Sequence, residues 1–254
     1  MNITILGSGT GIPSIRRASP GILVEAQNRF ILLDSGPGTL RQLSRIGVGC
    51  HQLDFLCYTH FHPDHTLDLL AFLFASRNPL QPRRDRPFEI LGPAGLEAWL
   101  QRARDLYGDW VAPAQGTCRI REFPQAGGWH TLTPGLTLHA VPVDHTPQSL
   151  GFRLRDSKGR TMAYSGDTDA CDSLVDLGRG VDVFFLDCSM PDDQRIPGHL
   201  TPSLAADIAA RAQARRLVLT HFYPPCDRVD VVQSCRDRFA GEITAAEDLM
   251  TITL

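Results

Sequence analysis

Apolar residues in this chain come in short, nearly unbroken runs, each ended by a polar or charged residue. "NITIL" (2–6), "GILVEA" (21–26), "FILLD" (30–34), "DFLCYT" (54–59) and "FEIL" (88–91) open the series. "LTLHAVPV" (136–143), "LGFRLR" (150–155), "TMAYS" (161–165), "VDVFFLD" (181–187), "RLVLTH" (216–221) and "MTITL" (250–254) continue it. Several of them lack polar alternation, which predicts strands covered on both faces. Helical spacing fills some of the gaps. "TPSLAADIAARAQARR" predicts a helix over 201–216, with Thr201 as N-cap and Pro202 at the first helical position. "GPAGLEAWLQRARDL" (92–106) and "HTLDLLAFLFAS" (65–76) predict two more. Strands interspersed with a few helices predict an α/β fold of two sheets sandwiched between helices. No Ser/Gly-rich linker or composition shift divides the chain, so a single domain over 1–254 is expected.

Composition adds limits. With 43% hydrophobic and 21% charged residues, the chain reads as an ordinary soluble globular protein. A net charge of −3 and a pI near 6.3 carry no overall polyanion-binding signature. One local exception is "RNPLQPRRDRP" (77–87), which gathers Arg77, Arg83, Arg84 and Arg86 in a loop. It is read as a solvated loop, with a substrate-steering patch as the alternative. Seven scattered cysteines, none in a C-x-x-C pair, argue against a disulfide framework and for a reducing compartment. The N-terminus lacks a basic region and a long apolar core, so no signal peptide is expected. No apolar run is long enough to span a membrane. These features together predict a cytoplasmic protein.

The first glycine cluster, "GSGTGIP", follows the first strand but is not a dinucleotide fingerprint. That spacing needs a glycine at position 12, which is Ile12, and no helix opens beyond Pro13.

"THFHPDH" (59–65) carries the chemistry. It crowds His60, His62, Asp64 and His65 into one turn at a strand end, where they cannot serve a core. Imidazole nitrogen and carboxylate oxygen suit zinc, with manganese and iron as alternatives. One turn cannot complete two coordination spheres, and the chain supplies the remainder. His145 in "VPVDHTPQS", Asp167 in "AYSGDTDA" and His221 in "LVLTHFYP" each follow a strand. The expected arrangement places one divalent ion on His60, His62 and His145 and a second on Asp64, His65 and His221. Asp167 spans both. Such a pair would share a water and lower its pKa. His51, His130 and His139 show no partner pattern and are read as structural.

With those residues in place, the chain resembles the metallo-β-lactamase-fold hydrolases, specifically the ribonuclease Z-like phosphodiesterases. The matching stretches are "LGSGTGIPSIRR", "LLDSGPGTLRQL", "THFHPDH", "EILGPAGL", "DHTPQSLGFRL", "YSGDT" and "GHLTPSLAADIAARAQARRLVLTHF", which cover nearly all of it. The resemblance implies an αββα sandwich with a dinuclear site at one edge. It also implies that Asp34 hydrogen-bonds a metal-bound imidazole. His199 falls where these phosphodiesterases carry a histidine that assists the leaving oxygen, and Asp187 is placed to orient it. The resemblance further allows a homodimer.

Departures from the tRNA-maturing enzymes bear on substrate. Many of those carry a long arm between the residues matching His145 and Asp167; here only 22 positions separate the two, enough for a hairpin. "SGDTDA" has Asp169 where that family has arginine, and "THFYPPC" lacks the family's serine and arginine. "FLDCSMP" is similar to the phosphoribosyl cyclic phosphodiesterases, but their N-terminal cysteine zinc site is missing. The expected activity is hydrolysis of a small or cyclic phosphodiester by a metal-held hydroxide, with Asp64 in the catalytic centre. His199 would assist the leaving group, and Ser149, Thr168 and amides near Gly166 would hold phosphate oxygens. Competing readings are a tRNA 3′-end endonuclease acting on RNA, a lactam, thioester or sulfate-ester hydrolase, and a non-catalytic metal-dependent binding module.

Overall fold

Two seven-stranded sheets pack face to face in the computed structural model, which describes residues 1–254. In chain order the first half runs β1 (Asn2–Gly7), β2 (Gly21–Ala26), β3 (Arg29–Leu33), α1 (Thr39–Arg45), β4 (Leu53–Cys57), α2 (Pro63–Ser76), β5 (Phe88–Pro93), α3 (Leu96–Tyr107) and β6 (Cys118–Phe123). The second half runs β7 (Gly128–Thr133), β8 (Leu136–Pro142), β9 (Leu150–Arg155), β10 (Thr161–Tyr164), α4 (Asp172–Leu177), β11 (Val183–Asp187), α5 (Pro202–Arg211), β12 (Arg216–Thr220), α6 (Val231–Cys235), β13 (Glu242–Ala245) and β14 (Thr251–Thr253). One sheet has the order β14-β1-β2-β3-β4-β5-β6 and the other β13-β12-β11-β10-β9-β8-β7. Both are mixed. The antiparallel β1–β2–β3 meander passes into parallel β3–β4–β5–β6, and parallel β10–β11–β12–β13 adjoins antiparallel β7–β8–β9–β10.

Side-chain alternation explains the unbroken apolar runs. Ile31 and Leu33 of β3 and Phe55 and Cys57 of β4 point into the layer between the sheets. Leu32, Leu53 and Leu56 point the other way, to Leu69, Phe72 and Leu73 of α2. A strand with helices behind it and a sheet in front has no face left for polar residues. The αββα sandwich expected from sequence is therefore the observed architecture.

The differences have local causes. The strands β6, β7 and β13 escape the apolar pattern because they sit at sheet edges, and "CRIREF" of β6 exposes Arg119, Arg121 and Glu122. Charge on an edge strand discourages pairing with other chains and also erases its signature. The short helices α1, α4 and α6 are too brief to show a period. Helix α5 stops at Arg211, not 216, because Gln213 turns left-handed (φ 55°) and Ala214 N donates to Ala209 O at 3.1 Å. That closure normally uses glycine, so no stop signal is visible in the residues there. Helix α3 starts at Leu96 because residues 92–93 still belong to β5. Helix α2 starts two residues earlier than expected, with Pro63 in its first turn and His62 as N-cap.

Strands β3 and β12 each end one residue earlier than their apolar runs, and both of those residues, Asp34 (φ 55°) and His221 (φ 62°), are left-handed. Non-glycine residues hold that conformation only where surroundings over-determine it. Both lie at the metal-site edge.

Candidate metal centre

The residues proposed from sequence converge on the C-terminal edges of both sheets. The β4–α2 turn supplies His60, His62, Asp64 and His65; the turns after β8, β10 and β12 supply His145, Asp167 and His221. Donor atoms of His60, His62, His145 and Asp167 all lie within 4.8 Å of one another, as do those of Asp64, His65 and His221. Asp167 divides its oxygens between the groups. Its Oδ2 lies 3.8 Å from His60 Nε2 and 3.7 Å from His145 Nε2, and its Oδ1 lies 3.1 Å from His65 Nε2 and 3.3 Å from His221 Nε2. Asp64 Oδ2 lies 3.6 Å from His221 Nε2.

Four of these buried donor atoms have no hydrogen-bond partner in the protein: His60 Nε2, His65 Nε2, His221 Nε2 and Asp167 Oδ1. Orphaned polar atoms at full burial are costly. Four in one cluster, all facing inward, fit divalent cations.

The opposite ring nitrogens are held. Asp34 Oδ2 accepts from His65 Nδ1 at 2.8 Å, from Thr59 Oγ1 at 2.9 Å and from Tyr164 OH at 2.9 Å. His60 Nδ1 reaches Thr59 Oγ1 at 3.0 Å, so His60 is oriented through Thr59 onto the same carboxylate. His145 Nδ1 donates to Gly198 O at 2.9 Å. Each contact places the N–H on Nδ1 and leaves Nε2 bare for a cation. Close approach secures the turn as well: a Cβ on Gly36 would fall 1.8 Å from Asp64 O, so only glycine fits beneath Asp64.

A second relay lies on the other sheet. Asp187 Oδ2 accepts from His199 Nδ1 at 2.8 Å, and Asp187 Oδ1 accepts from Ser189 Oγ at 2.6 Å. Ser189 Oγ also meets His221 Nδ1 at 2.9 Å. The His199 and His221 rings stack at 5.5 Å, and Tyr223 stands edge-on to both. Donor atoms of Asp167, Asp187, His199 and His221 form a further grouping within 4.8 Å.

Charge in the metal-free cluster follows from this layout. Burial and the neighbouring His65 hold His60 well below the usual imidazole range, although Asp167 opposes them. Burial also acts against a charge on His65, but Asp167 and Asp34 outweigh it and raise that ring well above its ordinary value. For His221 burial is again the largest influence, and Asp167, Asp187 and Asp64 overturn it to about 10. Asp167 stays well below the carboxylate range despite burial, because His221, His65 and His60 surround it. Protons on His65 and His221 occupy the place a cation's charge would fill.

Two expectations need correction. Ser149 is buried, and its Oγ accepts from Thr146 N at 3.0 Å and bonds Thr146 Oγ1 at 2.7 Å. Thr168 is buried too, its Oγ1 donating to Asp169 O at 2.7 Å and accepting from Asp144 N at 3.1 Å. Both hydroxyls are buried and bonded within their own turns, so neither is presented to a phosphate. The arginine loop is largely solvent-exposed, as the main expectation had it, and the steering alternative finds no support because the loop folds onto the opposite sheet edge. Arg84 donates to Cys50 O and Leu53 O, Arg86 pairs with Asp54, and Arg77 donates to Ala112 O at 2.7 Å. It lies by the start of β4, while the metal turn follows that strand's end.

Thr59, Tyr164, Ser189 and Tyr223 were not anticipated. Thr59 directly precedes the histidine run and Ser189 lies two residues after Asp187, but nothing in a linear sequence shows that they join ligands to carboxylates.

Comparison with known proteins agrees with this geometry. Residues 29–222 match the beta-lactamase superfamily domain. An uncharacterised protein of Mycobacterium tuberculosis is 32% identical, over 96% of this chain and 89% of its own. A ribonuclease Z of Mycobacterium bovis is 30% identical, over 98% of this chain and 96% of its own. The crystal structure of human tRNase Z, short form, superposes with a TM-score of 0.81 at 26% identity, covering 100% of this chain and 99% of that one. The chain belongs to the metallo-β-lactamase superfamily, as a metal-dependent hydrolase of the ribonuclease Z-like kind.

Proposed function

We propose that this protein holds two zinc ions and hydrolyses small or cyclic phosphodiesters. His60, His62 and His145 would hold one ion, Asp64, His65 and His221 the other, with Asp167 between them. When bound, the two cations acidify water and neutralise charge on the phosphate. Water adds to phosphorus, and the bond to the leaving oxygen breaks. That oxygen needs a proton if it departs as an alkoxide.

His199 carries the reading. Its Nδ1 is fixed on Asp187 at 2.8 Å, and although burial opposes a charge, Asp187 raises the ring above the ordinary imidazole value, so a second proton at Nε2 is available to the leaving oxygen. A thioester, whose thiolate departs without a proton, needs such a donor far less than an alkyl phosphodiester does. Asp34 and Ser189 hold the ligand rings still, which keeps the geometry fixed through the reaction.

The short β9–β10 connection supports a small substrate. Asp156 N donates to Arg160 O at 3.1 Å, closing a tight turn with no room for an RNA-gripping arm. All seven cysteines are free, which suits a reducing cytoplasm. No helix is long and apolar enough to cross a membrane.

The test combines metal analysis with hydrolysis of bis(p-nitrophenyl) phosphate, cyclic nucleotides, a cyclic phosphoribose and precursor tRNA. Two zinc ions per chain and turnover of a small diester support the proposal; Asp167→Ala should lose both metal and turnover. Cleavage of precursor tRNA alone, weakening steeply with salt, would instead favour an RNA-processing enzyme. The 30% identity to a ribonuclease Z is what recommends that second reading.

A further inference from the structure

Asp169 stands two residues beyond Asp167 and ties three loops together. Its backbone N donates to Asp144 O at 2.8 Å, next to His145. Its carboxylate accepts Arg195 NH2 at 2.8 and 2.9 Å, Ala170 N at 2.8 Å and Gly198 N at 3.3 Å. Arg195 and Gly198 both belong to the loop that leads into His199. At its base that loop is closed by Ser189 N donating to Leu200 O at 3.1 Å.

Gly198 is the joint. Its N–H goes to Asp169, its carbonyl receives His145 Nδ1–H, and the next residue is His199. The backbone there is left-handed (φ 82°), and a Cβ would come within 3.1 Å of His145 Nδ1. Only glycine brings its carbonyl this close to the ring without strain.

We infer that the Asp169–Arg195 pair is a positioning clamp that sets the His145 and His199 rings together through Gly198. It rests on the reading of His199 as proton donor. The Arg195 side chain is 53% exposed, so the pair adds little to stability. Its effect is geometric. Releasing Arg195 frees the loop segment between Ser189 and Leu200 that carries His199, and it loosens the Gly198 carbonyl on His145, a ring that a bound cation would still hold in place. Arg195 and Asp169 touch neither substrate nor cation; they act through Gly198.

The clamp is tested in the zinc-loaded protein with Arg195→Gln and Arg195→Lys. In Arg195→Gln, kcat on a diester with an alkoxide leaving group should fall about tenfold, while bis(p-nitrophenyl) phosphate stays within about threefold. Arg195→Lys should recover most of the loss. The His145 imidazole N–H, followed by NMR, should exchange with solvent faster in Arg195→Gln than in the unsubstituted protein. Equal losses on both esters, or an unaltered exchange rate, overturn the clamp. Should the unsubstituted protein cleave no phosphodiester at all, the functional reading fails, and the exchange rate alone decides the clamp.

Discussion

Asp34 Oδ2 lies 2.8 Å from His65 Nδ1, and neither side chain is exposed to solvent. The same carboxylate receives Thr59 N at 2.8 Å, Thr59 Oγ1 and Tyr164 OH, so it serves as a fixed anchor for two candidate ligands. Replacing such a partner typically costs about 10- to 100-fold in metal affinity. Asp34→Asn should weaken zinc binding to that extent in a chelator competition, and excess zinc should restore the rate. Unchanged affinity would show that His65 needs no anchor.

His199→Ala separates binding from chemistry. Metal content should stay as in the unsubstituted protein, because the two proposed ion positions use other side chains and His199 is held on Asp187. Turnover of an alkyl diester should fall by about 10²- to 10⁴-fold, the range for loss of a general acid. A fully active, metal-loaded variant would be falsifying.

Ser189→Ala removes a hydroxyl that touches Asp187, His199 and His221 at once. All three groups are buried, so the loss should cost about 1–3 kcal/mol of stability in a urea titration. Turnover should also drop, since both imidazoles lose orientation. No change in either quantity would reduce Ser189 to a bystander.

Acidity sets a further expectation. His221, at about 10 in the metal-free protein, is raised above the ordinary imidazole value, so its proton stabilises the metal-free fold fully below a pH of about 6.5. That contribution fades as pH rises towards 10. Asp167 is depressed, so its own contribution persists throughout this window and is lost only in strong acid. A cation needs the bare Nε2 and therefore binds more tightly as pH rises. The melting temperature of chelated protein should fall from neutral to alkaline pH while that of zinc-loaded protein holds. A constant gap between the two would contradict the protonation scheme.

The ligands were legible because chemistry had concentrated them. Four lie within six positions of "THFHPDH", and His145, Asp167 and His221 each follow a run with the pattern of a strand. What holds them was less visible. Thr59 and Tyr164 look like ordinary strand residues, and they acquire meaning only when the two sheets bring them to Asp34. Ser149 and Thr168 show the reverse error, since a hydroxyl near a ligand in sequence was already bonded to its own turn. Edge strands stayed hidden because the charges that protect β6 also mask it.

His60 and His65 come from one sheet, His145 and His221 from the other, and Leu150 N donates to Thr59 O across the seam at 2.9 Å. Neither half alone offers enough donors for a pair of ions. His221 is also the last of the seven along the chain. A filled centre would therefore report that the two layers have docked against each other correctly.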